Sequence, residues 1–227
     1  GQYPVDFGED RYSWRVELPG KGCSTPILLQ GKIYVTSPAG GKDSLLCFDL
    51  EGEEMWRTVF NEETPGKHRN GSGSNASPVT DGNAVFVYFK SGTLAAVELD
   101  GKVRWQTNLV ERFGPDTLFW DQGTSPVLTR KYLVVARMHK GESWLAAFDK
   151  STGELAWKVP RNYATPVECD HGYSTPLVIE YRGQESILVW GAEHLTIHDA
   201  SDGEVTWSCG DFNPDANRLW PAIATPV

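Results

Sequence analysis

No apolar run in this chain of 227 residues approaches the roughly 20 residues that a membrane-crossing helix needs, so no membrane-spanning segment is expected. Positive charge is also short, with 21 Lys and Arg against 30 Asp and Glu and a formal net charge of −9. No basic stripe is left to neutralise phosphates, which removes nucleic acid as a partner. Cysteine is sparse: Cys23, Cys47, Cys169 and Cys209 form no CxxC spacing and no adjacent pair, too few for a disulfide scaffold. The chain opens at Gly1 with neither an initiator Met nor an apolar signal region, and so reads as a processed product or a piece of something longer. P-loops, GxGxxG fingerprints and serine nucleophile elbows are missing. The glycine-rich GSGSN of residues 71–75 is followed by no helix whose N-terminus would cradle a phosphate, and reads as a turn. No long segment keeps a capped period of 3.6 residues, which excludes a helical solenoid.

What is abundant is Gly (23), Pro (14) and Trp (9), in a chain long enough to bury roughly 70% of its unfolded surface. Ser/Thr-Pro recurs as Thr25-Pro26, Ser77-Pro78, Ser125-Pro126, Thr175-Pro176 and Thr225-Pro226, with the prolines 52, 48, 50 and 50 residues apart. A Trp just after a glycine turn falls at Trp56, Trp105, Trp157 and Trp207, spaced by 49, 52 and 50, with Trp14 standing 42 before the first. Two independent marks sharing one period define a repeat. Within each unit come two apolar stretches, a loop, and a third stretch (LLCFD, LAAVEL, WLAAFD, LTIHD). A glycine turn and a fourth stretch opening at the Trp complete it. Short runs rich in Val, Ile, Leu and Phe bounded by Gly, Asp and Asn are strand signals.

Four short antiparallel strands per unit of about 50 residues make a propeller blade. The expected fold is therefore an all-β propeller. Residues 1–227 form a single partial domain with blades at 19–65, 66–113, 114–160 and 161–215 and the start of a fifth at 216–227. Residues 11–18 match only a fourth strand, so the arrangement is expected to be an open arc, a fragment of a longer ring. Pro suits the first residue of a strand because it cannot donate to the ladder. The five repeated tryptophans are expected to fill the wedge between diverging blades rather than to act in chemistry.

The Ser/Thr-Pro, the strand pair and the string FDKSTGELAW (residues 148–157) resemble the PQQ-like β-propeller repeat. This family includes quinoprotein alcohol dehydrogenases and BamB-like lipoproteins of outer-membrane assembly. The resemblance implies a ring of seven or eight blades and an extracytoplasmic, periplasmic setting. In catalytic members it also implies PQQ and Ca²⁺, with a vicinal Cys-Cys disulfide over the quinone and Glu, Asn and Asp about the metal. No two cysteines here are adjacent, and no residue maps onto those ligands or the catalytic Asp. The leading expectation is a non-catalytic binding or scaffold module with a protein or small polar ligand as partner; the alternative is a PQQ-dependent oxidoreductase.

Loops that join an outer strand to the next inner strand gather at one face around the axis, where binding groups are free to vary. Here those loops are KHRNGSGSNAS (67–77), LFWDQGTS (118–125), VECDHGYS (167–174) and RLWPAIAT (218–225). The candidate ligand-binding residues are His68, Asn70, Asn75, Trp120, Asp121, His171, Tyr173 and Trp220. Aromatics among Asn, Asp and His suit a flat polar ligand such as a sugar, a quinone or a peptide turn, held by stacking and edge hydrogen bonds. The plainer alternative is that Trp120 and Trp220 cap the core and the histidines stand in solvent. Glu168 and Asp170 add hard donors, yet the acids and histidines follow no metal-ligand spacing.

Overall fold

The computed structural model describes Val5, Gly8 and residues 11–226. The first blade holds β1 (Ile27–Leu29), β2 (Lys32–Thr36), β3 (Lys42–Phe48) and β4 (Glu54–Glu62). The second holds β5 (Val79–Thr80), β6 (Ala84–Tyr88), β7 (Thr93–Glu98) and β8 (Val103–Asn108). A short helix α1 (Leu109–Phe113) follows, capped by Asn108 Oδ1 accepting from the amides of Val110 and Glu111. The third holds β9 (Val127–Leu128), β10 (Tyr132–Arg137), β11 (Trp144–Asp149) and β12 (Leu155–Pro160). The fourth holds β13 (Leu177–Tyr181), β14 (Gln184–Gly191), β15 (His194–Asp199) and β16 (Val205–Cys209). Each set forms one four-stranded antiparallel sheet in chain order, and the four sheets do not close into a ring.

The ends differ from the middle. Residues 11–18 pair with no strand among the described residues, although Trp14 takes the place its repeat position demands. Residues 216–226 form no strand, and Ala222 makes a single parallel bridge to Gly172. Val227, the last residue of the expected fifth-blade start, lies outside the described residues.

Second and third strands carry the core. All of β6 is buried, as are nearly all of β7, β10 and β11, whereas β16 is exposed throughout. The hydrophobic clusters lie between sheets rather than within them. Tyr34, Leu45 and Cys47 meet Val85, Val87 and Ala95 across blades one and two, and Phe86 and Ala96 meet Leu133 and Phe148 across blades two and three. Burial on both faces explains why these strands read as continuous apolar runs without alternation. Each large side chain so buried contributes about 1.5–3 kcal/mol.

Two contacts repeat from blade to blade. Between third and fourth strands the register slips at the same point in every sheet, at Cys47/Phe48, Ala96/Val97, Ala147/Phe148 and Ile197/His198. The residue preceding each slip pairs with Trp56, Trp105, Trp157 or Trp207. Such a bulge increases local twist and re-aims a side chain, here the indole, toward the next blade. Trp56, Trp105 and Trp157 lie over Gly101, Gly153 and Gly203 of the following blade, and Trp14 lies over Gly52. A methyl group added at Gly153 would sit 2.5 Å from Trp105 Cδ2, and its φ of +73° already suits glycine. Indole N–H groups then donate to turn carbonyls: Trp14 to Leu50 at 2.5 Å, Trp105 to Lys150 at 2.8 Å and Trp157 to Ala200 at 3.2 Å. Trp207 has no following blade among the described residues and is 37% exposed.

The second contact explains the residue before each proline. The amide of Thr25 donates to Ser77 Oγ (2.9 Å), that of Ser77 to Ser125 Oγ (2.9 Å), that of Ser125 to Thr175 Oγ1 (3.1 Å) and that of Thr175 to Thr225 Oγ1 (3.3 Å). A hydroxyl at this position is thus a rung between neighbouring inner strands. The acidic residue closing the third stretch caps its own turn: Asp49 Oδ1 accepts from Glu51 and Glu53, and Asp149 Oδ1 from Ser151 and Thr152. Glu98, one methylene longer, instead holds Arg104 through two bonds of 2.7 and 3.0 Å.

Truncating a clasped, half-buried indole leaves a gap between blades, so Trp157→Ala should lower unfolding free energy by ~3 kcal/mol, the low end of the range for a core Trp, in chemical denaturation. A loss below about 1 kcal/mol would show that the indole does not hold blades three and four together.

Candidate functional site

The connections after β4, β8, β12 and β16 lie side by side, each bonded to the next. The amides of Lys67 and His68 donate to Asp121 Oδ1 (2.9 Å) and Oδ2 (3.2 Å). Phe119 N–H donates to His171 Nδ1 (3.4 Å), Trp120 N–H to the Tyr173 hydroxyl (3.2 Å) and Leu219 N–H to the Val167 carbonyl (3.0 Å). The loops therefore form one continuous layer whose register follows from the blade period.

Within that layer the expected residues divide into two groups. Asp121 is buried and turned inward, taking the Lys90 ammonium at 2.5 Å besides the two amides. Burial pushes its carboxyl up, but the Lys67 amide, Lys90 and the His68 amide outweigh that and hold it below the usual carboxylate range. Gly71 is needed beside it, because an added methyl group would lie 2.0 Å from Asp121 Oδ2. Asn75 is likewise engaged, its Oδ1 accepting from Ser72 N–H and Oγ–H and its Nδ2 donating to the Gln122 carbonyl. These two hold the loops together. His171 is 6% exposed, so it does not stand in solvent. With Phe119 N–H on Nδ1, its proton sits on Nε2, 3.8 Å from Asp170 Oδ1. Burial pushes the Tyr173 phenol up to about 12.

The remaining four face outward. His68 is exposed and meets Trp120 edge-on, with centroids 5.2 Å apart. Asn70 is exposed, with its N–H on His68 Nδ1 (3.2 Å). Trp120 is 44% and Trp220 59% exposed, so neither caps the core.

Sequence reasoning missed three apolar neighbours. Phe119 (65% exposed), Leu219 (66% exposed) and Val167 join Trp120, Lys140, Glu168 and His171 around a cleft of about 360 Å³. A signal was present: Phe119-Trp120 and Leu219-Trp220 are equivalent doublets, each beginning seven residues before its proline. Leu219 and Glu168 also carry left-handed backbone, with φ of +60° and +69°. A second cleft of about 500 Å³ adjoins the first loop, lined by Lys21, Glu63, Lys67, His68, Arg69 and several glycines.

A family model described as outer membrane protein assembly factor BamB matches residues 8–142, more than half of the chain. The chain belongs to this family of PQQ-like propellers. Among solved structures, a quinohemoprotein alcohol dehydrogenase from Pseudomonas putida aligns at 16% identity and TM-score 0.64, over 89% of this chain and 36% of that one. BamB from Moraxella catarrhalis aligns at 16% identity and TM-score 0.53, over 85% and 52%. A quinohemoprotein alcohol dehydrogenase from Comamonas testosteroni aligns at 11% identity and TM-score 0.50, over 85% and 43%. No curated protein matches the chain. This BamB-like propeller thus spans about half or less of each solved relative, and at such identities the likeness is one of fold.

The described residues do not fit PQQ with Ca²⁺. No three His, Cys, Asp or Glu side chains among them converge, Asp121 has its oxygens occupied, and the four cysteines are free and non-adjacent. Among the described residues no helix is long and apolar enough to cross a membrane.

One further carboxyl had no sequence signal. Asp43 on β3 is fully buried against blade two, with Oδ2 accepting from the Ser91 hydroxyl and Oδ1 left without a partner. Burial, partly countered by the Ser91 bond and reinforced by Glu63, pushes its carboxyl up to about 7. A folded-state value above the unfolded one means that the native protein binds the extra proton. The stability contributed by Asp43 is therefore fully present below pH ~4 and is lost as pH rises toward 7. Asp43→Asn should melt higher than the parent at pH 8, with the gap closing toward pH 5; a gap independent of pH would contradict this.

Proposed function

We propose that this BamB-like propeller is a non-catalytic binding and scaffold domain that holds a protein partner on its axial loop face, in an extracytoplasmic setting. The observation that carries this reading is the apolar surface built by Phe119, Trp120, Val167 and Leu219 around the 360 Å³ cleft. Large aromatic and aliphatic side chains exposed together on ordered loops have an energetic reason to be there only if something covers them. Their positions are fixed from beneath by buried polar ties, the arrangement of a preorganised docking surface. The chemistry of the cleft supports the same reading. Its imidazole, His171, has the Nδ1 lone pair occupied by Phe119 N–H, and the neighbouring Tyr173 phenol is too weakly acidic to serve as a base near neutrality. The family description, an outer-membrane assembly factor, supports the setting and a protein partner.

Capture from an envelope extract of the source cell tests this, comparing the parent with a Trp120→Ser, Leu219→Ser variant of unchanged melting temperature. A protein retained by the parent and lost by the variant is expected, with no saturable quenching of tryptophan fluorescence by PQQ and Ca²⁺. Equal retention by both would place binding elsewhere on the molecule. Saturable, Ca²⁺-dependent quenching by PQQ would contradict the non-catalytic assignment.

A further inference from the structure

We infer that Asn70 is a site of spontaneous covalent modification, at which the side chain closes on the Gly71 amide and loses ammonia, and that the isoaspartyl product loosens the loop gripping Asp121. This chemistry belongs to the loop itself and does not depend on what the face binds.

Asparagine is among the chemically labile side chains, and its lability depends on its neighbour. Of the eight asparagines in the chain, Asn70 alone precedes a glycine; the others precede Glu62, Ala76, Ala84, Leu109, Tyr163, Pro214 and Arg218. For the reaction, the backbone nitrogen of the next residue must reach the asparagine Cγ. Glycine has no Cβ to hinder that approach and adopts unusual dihedral angles freely. Pro214 has no amide hydrogen to give up.

Side-chain bonding separates the asparagines further. Asn75 is tied at both ends of its carboxamide to Ser72 and Gln122, and Asn108 caps α1. Asn162 Oδ1 accepts from the Ser143 amide at 2.8 Å, and Asn213 bonds Glu193 and Asn217. Asn70 is exposed, and among the described residues only its backbone is engaged. Its N–H donates to His68 Nδ1 at 3.2 Å and its carbonyl accepts from the Cys23 thiol at 3.4 Å. Asn61, Asn83 and Asn217 are exposed too, but each precedes a residue with a Cβ. One surface bond, from Gly71 N–H to the His68 carbonyl at 2.9 Å, must open before the Gly71 nitrogen is free to react.

The Gly71 nitrogen bonds to Asn70 Cγ as the Cγ–Nδ2 bond breaks. The amide proton passes to hydroxide, and the leaving nitrogen takes a proton from water and departs as ammonia. Water then opens the cyclic imide. Cleavage at Cγ gives an aspartyl residue, and cleavage at the backbone carbonyl gives an isoaspartyl one, whose main chain is longer by a methylene. That extra length falls where the fold has no slack. The Lys67 and His68 amides bond the Asp121 carboxylate, and a methyl group added at Gly71 would lie 2.0 Å from Asp121 Oδ2. A longer backbone between residues 70 and 71 cannot hold both ends of this grip, and His68 then leaves its place against Trp120.

The full chain is aged at mildly alkaline pH, folded and, in parallel, unfolded in guanidinium chloride, then digested and read by mass spectrometry with fragmentation that separates aspartyl from isoaspartyl residues. In the folded protein the mass gain of deamidation is expected several-fold faster at Asn70 than at any other asparagine, faster still as pH rises, and absent from that position in Asn70→Gln. Brief trypsin treatment reports on the loop through cleavage after Lys67, since exposed loops are nicked as they open. Aged parent should be cut there several-fold faster than fresh parent, and aged Asn70→Gln no faster than fresh. Fresh Asn70→Asp, which has the new charge without the longer backbone, should be cut as slowly as fresh parent. No gain at Asn70 in the folded chain while the unfolded chain gains it, or equal rates at Asn61 or Asn83, would overturn the site. Unchanged cutting of isoaspartyl protein, or rapid cutting of fresh Asn70→Asp, would overturn its effect on the loop.

Discussion

An indole lying over a glycine of the next sheet is the contact on which this molecule depends. Blades diverge from an axis, so the gap between them widens outward, and only a large flat side chain fills it without forcing the sheets apart. The glycine is the other half of the contact: at Gly52, Gly101, Gly153 and Gly203 an added methyl group would lie within 3 Å of the ring. A bulge beside each Trp of β4, β8 and β12 turns the ring outward, and at Trp105 and Trp157 an indole N–H bond to the next turn fixes its azimuth. The angle between successive sheets is set at the rim by this clasp and near the axis by the ladder of Ser and Thr hydroxyls.

With the angle fixed at both radii, the connecting loops have little freedom in how they meet. They repeat at the blade period, and their backbone groups find partners about 50 residues away, as Lys67 does at Asp121 and Trp120 at Tyr173. Several polar residues of the loops are consumed in this task. Asp121, Asn75 and His171 point inward and are bonded, while Phe119, Trp120, Leu219 and Trp220 face outward beside His68 and Asn70. The result inverts the usual assignment of polar groups to recognition and apolar groups to support. Here the carboxylate and the amide make the scaffold, and the aromatics make the surface.

The fold was legible in the chain because each of its repeated contacts needs a particular residue: Trp for the wedge, Gly for the turn beneath it, Pro at a strand start. The hydroxyl before each proline was visible as a mark, but its role was not, because its donor is the backbone amide of a residue one blade earlier. The face was legible in position, since loops between outer and inner strands had to gather at one end. Its chemistry was half legible. Asp121 and Asn75 look like ligand groups in a linear reading, and only the loop layer shows that Lys90 and Gln122 have claimed them. Phe119 and Leu219 pass for ordinary core residues until their exposure is known. Asp43 was beyond reach altogether, because its burial against Ser91 arises between blades.

The most direct test of this account is a double-mutant cycle across one clasp, pairing Trp105→Ala with Gly153→Ala and measuring unfolding free energies of all four proteins. If the indole rests on the bare glycine, the added methyl group should hurt far more when the ring is present. The double mutant would then be less destabilised than the sum of the singles by about 1–3 kcal/mol. Additivity within about 0.5 kcal/mol would mean that ring and glycine do not sense one another, and the clasp would lose its place as the organising contact.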